Sequence, residues 1–408
     1  MLLSIAWKNI WRNKLRSAIV MIAVTLGLIG GIMSVGIMFG SSDQHVKDAV
    51  NDYVSEIQIH HPKYSENNEA KYIIENSDKL EKQISEIPEV KSVCSRIKII
   101  GMANSPEAAV GIMINGINPE KEKTVTDIYT KIPDSLGTYF ENTKRNPILI
   151  SSKLAEKLKL HLRSKVVLTF QEKDGTMTGG AFRVAGIFNT ANAMLDEMNV
   201  FVKKTDLARL TGFPENTAHE IAVRIKDKKM LEKVKTDISG ENPDLSVMTW
   251  KEIQPDLAMV TDFMNQMMAV FMIIILLALG FGIVNTMLMV VLERIKEIGM
   301  LMAVGMNRIR VFTMIMLETI FLSIVGGGIG MGISAAVLHY FGRVGMNFSA
   351  VAKGLESFGY SAIIYPKVEP TFYFTLSFLI ILTGILASIY PAIKAVKLNP
   401  AEAVRTDA

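Results

Sequence analysis

The sequence lacks several features that would assign it to a familiar class of soluble protein. It has one cysteine, Cys94, in 408 residues, which excludes an intramolecular disulfide framework and a multi-cysteine metal site. Its formal net charge of +4 is too small to indicate a nucleic-acid-binding protein. Charged residues make up 21% of the chain but are absent from long stretches of it. This distribution excludes both a disordered protein and a purely soluble globular one.

Sequence motifs of catalysis and nucleotide binding are also missing. There is no G-x-x-x-x-G-K-[ST] phosphate loop, no G-x-S-x-G nucleophile elbow and no H-E-x-x-H zinc helix. The neighbours His60 and His61 would point to opposite faces of a strand, so we do not expect them to share a metal. We therefore predict that the chain is not an enzyme and carries no catalytic residue, metal ligand or cofactor of its own.

Four apolar segments are each long enough to cross a bilayer, which takes about 20 apolar residues. The first lies between Arg16 and Asp43 and is too long for a typical signal peptide, which is the alternative reading. The third contains a single charge, Glu318. The predicted transmembrane helices cover residues 17–42, 263–292, 311–338 and 371–393.

Basic residues cluster on one side of these spans. They precede the first span, lie between the second and third, or follow the fourth: Lys8, Arg12, Lys14, Arg16, Arg294, Lys296, Arg308, Arg310, Lys394, Lys397 and Arg405. The positive-inside rule then places both termini in the cytoplasm. We expect a cytoplasmic or interfacial helix at 1–16, a cytoplasmic coupling helix at 293–310, an extracytoplasmic loop at 339–370 and a cytoplasmic tail at 394–408.

The stretch 43–262 predicts one large α+β domain inserted between the first two spans. Strand–helix–strand patterns occur near both of its ends, and a β-rich stretch separates them. We predict an outer part of 43–146 and 215–262, with a β-rich insert of 147–214. The expected fold is an α-helical membrane domain with four transmembrane helices plus this α+β extracytoplasmic domain.

The segment between the second and third spans has the strongest functional pattern, LERIKEIGMLMAVGMNRIR. Ile295, Ile298 and Met302 fit one face of an amphipathic helix, and Gly305 fits its C-terminal cap. A soluble motor could push such a helix and so move both spans. A plain connecting loop fits the periodicity equally well.

The pattern ER-x-K-E-I-G-x-L-x-A-x-G in this segment resembles the coupling segment of permeases in the FtsX/MacB/lipoprotein-release superfamily of ABC transporters. The stretch LETIFLSIVGGGIGMG and the ending YPAIKAVKLNPAEAVR resemble the same family, with Val404 in place of the usual leucine. The layout of one span, a large domain and three spans also matches. Within the inserted domain, INGINPEKE and FRVAGIFNTANAMLDEMNVFV are more like the LolC/LolE branch.

The resemblance implies the permease subunit of an ATP-driven mechanotransmission transporter in the bacterial inner membrane. A separate cytoplasmic ABC ATPase dimer would bind ATP and Mg, and a second permease chain, identical or different, would complete the complex. The residues implied in ATPase coupling are Glu293, Arg294, Lys296, Glu297, Ile298, Gly299, Leu301, Ala303 and Gly305. The implied substrate is a lipoprotein that is extracted from the inner membrane for transfer towards the outer membrane.

We hypothesise that a lipid vestibule lies at the outer ends of the first two spans, because methionine is flexible and tolerates varied acyl chains. Its residues would be Met33, Ile37, Met264, Met267, Met268 and Phe271. Ordinary packing between spans would explain the same stripe. Glu318 should point into protein or snorkel, and it would either link the coupling helix to the third span or be a capped or neutralised structural acid.

Spaced glycines indicate close packing of spans, within one chain or between two chains. The pairs are Gly27/Gly31, Gly36/Gly40, Gly326/Gly330 and Gly328/Gly332.

A further feature concerns a periplasmic lipoprotein carrier, which LolC-type permeases grip with a long hook. The matching stretch, Gln171–Ala181, is short and glycine-rich and predicts a simple hairpin. Two alternative functions remain open: MacB-like export of peptides, toxins or drugs with a periplasmic adaptor, and FtsX-like signalling without transport.

Overall fold

The computed structural model describes residues 2–12, 14–141, 146–172, 174–190, 192–351, 354–355 and 360–397. The chain separates into two compact units. The first, called here the membrane unit, comprises Met1–Ser42, Asp262–Phe348 and Ile363–Ala408. The second, called the inserted domain, comprises Asp43–Thr261 and Ser349–Ala362.

The described helices and strands follow one another in a mixed order. The helices are α1 (Leu2–Arg12), α2 (Lys14–Ala49), α3 (Pro62–Asn67), α4 (Ser77–Ser85), α5 (Pro119–Val125), α6 (Ser152–Lys157), α7 (Ala193–Met198), α8 (Lys204–Thr211), α9 (Leu231–Glu241), α10 (Trp250–Ile253), α11 (Pro255–Glu293), α12 (Ile295–Ala303), α13 (Arg308–Val344) and α14 (Pro370–Val396). The strands are β1 (Ile57–His60), β2 (Val90–Asn104), β3 (Ala109–Ile117), β4 (Pro147–Ser151), β5 (Lys165–Gln171), β6 (Met177–Phe188), β7 (Asn199–Lys203), β8 (Glu220–Ile225), β9 (Ser246–Thr249), β10 (Met346–Asn347) and β11 (Ile363–Ile364).

Four helices of the described chain are long and apolar enough to cross a membrane, in the four regions where the sequence predicts spans. They are α2, α11, α13 and α14. Of these, α11 buries the smallest share of its apolar surface within the chain. The predicted four-helix membrane domain is therefore confirmed, and the side chains of α11 are largely left to face lipid or another protein.

Glycines allow α13 to approach α2 closely. A Cβ atom at Gly326 would lie 3.0 Å from the carbonyl oxygen of Met21, and one at Gly330 would lie 3.1 Å from that of Thr25. Because the two helices lie this close together, the Thr25 hydroxyl can donate a 2.9 Å hydrogen bond to the carbonyl of Gly326. This pair thus serves packing within one chain. In contrast, Cβ atoms at Gly328 and Gly332 would meet open space.

The inserted domain has two halves with separate apolar cores. In the first half, β9, β1, β8 and the start of β2 form an antiparallel sheet. Its core includes Ile57, Ile59, Ile84, Val234 and Ile238, which come from β1, α4 and α9. The strand–helix–strand patterns predicted near the two ends of the domain therefore meet in one sheet, as we expected. We call this half the α/β half.

The second half is a closed six-stranded barrel, which we call the barrel half. Its strands follow the order β2-β3-β7-β4-β6-β5 and return to β2. The β3–β7 and β4–β6 pairs are parallel, and the other pairs are antiparallel. The barrel core includes Ile99, Phe170 and Phe182. Gln171 pairs with Met177, so the predicted simple hairpin is confirmed.

Strand β2 connects the two halves. Its residues up to Arg96 pair with β8, and from Ile97 onward they pair with β3. The rest of β2 and all of β3 therefore pack in the barrel half, whereas we had placed both in the outer part, 43–146. Periodicity indicates where strands form, but it contains no information about their partners.

A buried histidine makes the stability of the inserted domain depend on pH. His219 donates from Nε2 to the carbonyl of Ala70 at 2.8 Å, and its Nδ1 accepts from the backbone N–H of Lys98 at 3.4 Å. Both ring nitrogens are thus used by the neutral form. Burial lowers the pKa of His219 to about 4, although the Ala70 carbonyl opposes the shift. An unfolded histidine has a pKa of about 6.5.

We expect stability to be complete above about pH 6.5 and to fall towards pH 4, by up to about 3 kcal/mol, because the unfolded chain takes up a proton that the folded chain refuses. His219→Gln, which keeps one donor and one acceptor, should show a smaller fall. The measurement is the melting temperature of the purified full-length chain between pH 4 and 8. His161→Gln, at an exposed site, is the control. Parallel curves for wild type and His219→Gln would contradict this assignment.

Candidate coupling site

The segment between α11 and α13 forms the short helix that its periodicity indicates. Helix α12 is separated from α11 by Arg294, whose φ of −103° and ψ of 16° interrupt the helical path. It ends at Ala303, and Gly305 follows with a φ of 100°, a conformation that favours glycine. The backbone N–H of Met306 donates to the carbonyl of Leu301 at 2.9 Å, which closes the helix end.

The nine predicted coupling residues differ in exposure, and this decides which of them could touch a partner. Ile298 and Gly299 are buried against the membrane unit. Arg294, Glu297 and Leu301 are half-buried. The exposed members of the set are Glu293, Lys296, Ala303 and Gly305. Direct contact with another protein is therefore open to four of the nine, whereas Ile298 and Gly299 hold the helix in place.

Three exposed apolar residues beside this helix were missed by the sequence analysis. Val304 is 90% exposed, Ile309 is 71% exposed and Met300 is 52% exposed. The sequence contains one signal that could have identified these three residues: they are apolar but lie between the residues that form the buried apolar face. They belong with the exposed residues above as candidates for contact with a partner.

Glu318 points into the protein, which is one of the two arrangements that its cost in lipid allows. It is 5% exposed, on the third turn of α13. Arg294 places Nη1 3.2 Å from its Oε2, and Asn9 of α1 donates to its Oε1 at 2.6 Å. The carboxylate therefore joins α13 to α1 and to the start of α12. The predicted link between the coupling helix and the third span exists as a contact.

Two further bonds extend this contact into a network. Arg294 Nε donates to Glu297 Oε2 at 2.9 Å, and Arg12 Nη2 donates to the same oxygen at 2.5 Å. We call Asn9, Arg12, Arg294, Glu297 and Glu318 the coupling network. All five residues line one cavity of about 110 Å³. A cavity of this size with polar walls can hold water molecules.

The charges of the network balance, with two guanidinium groups and two carboxylates. Burial disfavours the charged form of Glu297, but the hydrogen bond and charge of Arg294, together with the charge of Arg12, lower its pKa overall. The Glu297 carboxylate is therefore ionised at neutral pH. Charge-assisted hydrogen bonds of this kind are about twice as strong as neutral ones.

Helix α1 packs along α13 on one side and exposes apolar residues on another. Ala6 and Ile10 are buried, and the ring of Trp7 lies 5.6 Å from that of Phe321. Leu3 and Trp11 are 59% and 49% exposed. This amphipathic arrangement suits a helix at a membrane surface. The interfacial location itself stays a prediction.

The six residues of the hypothesised vestibule lie on α2 and α11. Met33 and Met268 pack against the core of the membrane unit, whereas Phe271 is 42% exposed. None of the six lines the apolar cavity of about 200 Å³ that lies between these helices. The cavity walls are Val20, Ala23, Val24, Gly27, Ile275, Ala278, Leu279, Gly282, Ile283 and Thr286. The signal that could have located the cavity is the pairing of small residues, such as Gly27 and Gly282, on facing helices.

Two family models match the chain. The MacB-like periplasmic core domain matches residues 17–241, which is more than half of the chain, and the FtsX-like permease C-terminal model matches residues 269–400. These matches include the inserted domain in one case and the coupling segment in the other.

Curated relatives share about a quarter of their residues with the chain. The lipoprotein-releasing system transmembrane protein LolC of Buchnera aphidicola is 23% identical, over 93% of this chain and 90% of the relative. The uncharacterized ABC transporter permease YknZ of Bacillus subtilis is 24% identical, over 98% and 97%. The macrolide export ATP-binding/permease protein MacB of Neisseria meningitidis is 29% identical over 50% of this chain, and the match spans 30% of MacB.

Solved structures match the chain only distantly. The extracellular domain of the ABC-type transporter YknZ, from Gram-positive bacteria, is 17% identical with a TM-score of 0.34, covering 48% of this chain and 100% of that chain. The periplasmic region of MacB from Actinobacillus actinomycetemcomitans is 12% identical with a TM-score of 0.35, covering 55% and 98%.

The coupling network makes a prediction about stability. Arg294→Met should lower the free energy of unfolding by roughly 3–5 kcal/mol, because it leaves the buried Glu318 carboxylate without its ion-pair partner. Glu318→Leu should cost less, because Glu297 still binds Arg294. The double variant should lose less than the sum, with a coupling energy above about 1 kcal/mol. Melting temperatures of the purified chain in detergent give the comparison.

The control is Arg12→Met, since the Arg12–Glu297 pair is 60% and 46% exposed. An exposed ion pair contributes at most about 1 kcal/mol, so this change should have little effect. Additive losses in the Arg294/Glu318 cycle would show that the two side chains are not coupled.

Proposed function

The chain belongs to the FtsX/MacB superfamily of ABC transporter permeases, and we propose that it is the permease subunit of an ATP-driven mechanotransmission complex that releases lipoproteins from the bacterial inner membrane. The observation that carries the proposal is the coupling network, which ties α12 to α13 and α1 by side-chain bonds. A helix held in this way cannot be displaced without moving its neighbours. Helix α12 is therefore a suitable point for an external motor to act on.

ATP hydrolysis belongs to a partner in this proposal. The chain has no phosphate-binding loop, so the cytoplasmic ABC ATPase dimer would bind ATP and Mg. That dimer would press on the exposed residues of the coupling segment, among them Lys296 and Val304. A second permease chain, identical or different, would supply the other half of the complex. With this arrangement both termini lie in the cytoplasm and the inserted domain lies outside.

The choice of lipoprotein as substrate is supported by the LolC-like stretches INGINPEKE and FRVAGIFNTANAMLDEMNVFV in the inserted domain. The match to LolC runs along nearly the whole of both chains, but the match to YknZ is as extensive, so the extent of similarity does not itself select this substrate. A lipid anchor would enter sideways between α2 and α11, where the apolar cavity and the methionine-rich residues lie. Small residues on both walls leave room for flexible hydrocarbon.

Export of peptides, toxins or drugs with a periplasmic adaptor is the second candidate. Two observations favour it: the match to the MacB-like core domain, and the short hairpin at 171–177 in place of a carrier-gripping hook. FtsX-like signalling without transport is the third.

Depleting the chain and counting the lipoproteins left in the inner membrane separates these candidates. Accumulation supports release, and an unchanged distribution overturns it.

The route of the lipid anchor can be tested by crosslinking. Photo-reactive residues at Met33, Met264 and Met268 should capture acylated lipoprotein in native membranes, and so should one at Ala278 in the cavity wall. A probe at Phe374 of α14, which is 78% exposed, is the control and should capture only lipid. Labelling of neighbouring protein alone at all four sites would reject the route.

Coupling can be tested in the purified complex. Glu297→Gln weakens the bonds from Arg12 and Arg294, and Gly305→Ala strains a backbone with a φ of 100°. Each should lower lipoprotein-stimulated ATPase activity about tenfold while leaving expression unchanged, as expected from the loss of roughly 1.4 kcal/mol of coupling. Glu369→Gln, at the start of α14, is the control. Normal stimulation in well-folded variants would count against the coupling role.

A further inference from the structure

A cluster of charged side chains is buried where β2 passes from the α/β half to the barrel half. At its centre is Arg96, whose side chain is 0% exposed. Arg96 is the last residue of β2 that pairs with β8, and Ile97 is the first that pairs with β3. The guanidinium therefore lies at the junction of the two halves.

The guanidinium binds two carboxylates. Its Nη1 donates to Glu220 Oε1 of β8 at 2.5 Å. Its Nε and Nη2 donate to Glu122 of α5, to Oε2 at 3.1 Å and to Oε1 at 2.6 Å. Lys98 adds a second positive charge, with Nζ 2.9 Å from Glu220 Oε2. The paired geometry matches the planar fork of arginine, which a lysine cannot reproduce.

The same guanidinium also binds the chain that leaves α2. We call residues 50–58 the exit segment; it begins with the π-helical turn Val50–Val54. Arg96 Nη1 donates to the carbonyl of Tyr53 at 2.9 Å. The Tyr53 hydroxyl in turn donates to Asn115 Oδ1 of β3 at 2.9 Å. Tyr53 is thus bonded to the junction by its backbone and to the barrel by its side chain.

The rest of the exit segment is held firmly. Val50 and Val54 are buried, and the backbone N–H of Asp127 donates to the carbonyl of Asn51 at 2.8 Å. Ser55 has a φ of 63°, which is an uncommon conformation for a residue other than glycine. Its surroundings must fix this turn, because a residue at positive φ persists only where packing determines it.

Glu220 remains ionised over the whole physiological range. Burial would raise the pKa of Glu220, but the charges of Lys98 and Arg96 outweigh it and lower that pKa to about 2. A buried ion pair adds little to stability compared with apolar packing of the same volume. The buried ion pair instead fixes the geometry, because each charged group must stay within hydrogen-bond distance of its partners.

From this geometry we propose that Arg96 is a positioning residue for coupling: it fixes the exit segment, which follows α2 in the chain, to both halves of the inserted domain, so that the exit segment and the two halves move as one body. The proposal rests on the proposed function for its role in transport. Its structural part, the three-way attachment, can be tested without nucleotide, substrate or ATPase.

The test measures distances by spin labelling of the full-length chain in nanodiscs. Labels are introduced by Lys47→Cys on α2, Lys82→Cys on α4 and Met177→Cys on β6, at half-buried to exposed sites. The native Cys94 is buried and bonded to Glu122, so it should not react. Distances are measured from residue 47 to residue 82 and from residue 47 to residue 177.

Arg96→Lys keeps the positive charge but cannot reach the Tyr53 carbonyl and both carboxylates together. We expect it to widen both distance distributions about twofold or more. The matched control is Phe170→Leu in the barrel core, which lowers stability without touching the junction. It should leave both widths at the wild-type value. Equal widths in Arg96→Lys and Phe170→Leu would overturn the proposal.

If Arg96→Lys fails to fold, Tyr53→Phe takes its place, because it removes the bonds of the Tyr53 hydroxyl to Asn115 and Lys98 but keeps all the hydrogen bonds of Arg96. It should widen the distribution from residue 47 to residue 177 and leave the other unchanged. No change in either distribution would again overturn the attachment.

The role in coupling is read from ATPase activity in the complex with the ATPase partner. Arg96→Lys should keep basal hydrolysis and lose about tenfold in lipoprotein stimulation, whereas Phe170→Leu keeps both. Wider distances with normal stimulation would overturn the coupling role of Arg96. A wild-type complex that lipoproteins do not stimulate would refute the proposed function instead, and the distances alone would then decide the attachment.

Discussion

A carboxylate in an apolar span is the constraint on which the cytoplasmic end of the membrane unit depends. Glu318 would be costly against lipid, so it must be met by polar groups from other elements. Arg294 meets it from the break before α12, and Asn9 meets it from α1. One desolvated charge thus determines where a short helix begins and where the N-terminal helix lies. The burial of the Glu318 carboxylate therefore has two effects: it costs desolvation free energy, and it connects the helices mechanically.

Each of the two units contains a buried charged side chain that is held by polar partners. In the membrane unit the central group is Glu318, and arginine and asparagine surround it. In the inserted domain the central group is Arg96, and two glutamates and a backbone carbonyl surround it. Each buried charge has partners from at least two elements distant in sequence. Apolar packing tolerates small slips between such elements, whereas a buried ion with several fixed partners does not. Sites of this kind suit the transmission of movement that we propose for this chain.

Hydropathy and periodicity predict a large part of this architecture. The four spans, the inserted α+β domain, α12 and the position of Gly305 after it all follow from local sequence. The inward direction of Glu318 follows from a cost that any lipid-exposed carboxylate would bear. The partners do not follow, because Asn9 and Glu318 are far apart in sequence and only the packing of α1 on α13 brings them together. The closure of the barrel was missed for the same reason: β3 reads as a strand, but nothing in its pattern shows that it pairs with β7 in parallel. The buried ions at Arg96 were not recognised at all, since a charged residue within a strand pattern normally indicates a solvated face.

The closed barrel has a consequence for how this half of the inserted domain could meet other proteins. Each of its six strands has a hydrogen-bonded neighbour on both sides, so its backbone offers no place for an incoming strand. Within the described residues, the α/β half has two sheet edges: β9, and the start of β2, which pairs only with β8. Recognition by the barrel must therefore rely on side chains and loops, which evolution can vary without disturbing the strand pairing. Strand addition, if it occurs in this domain, would use one of these two edges, Ser246–Thr249 or residues 90–96 of β2.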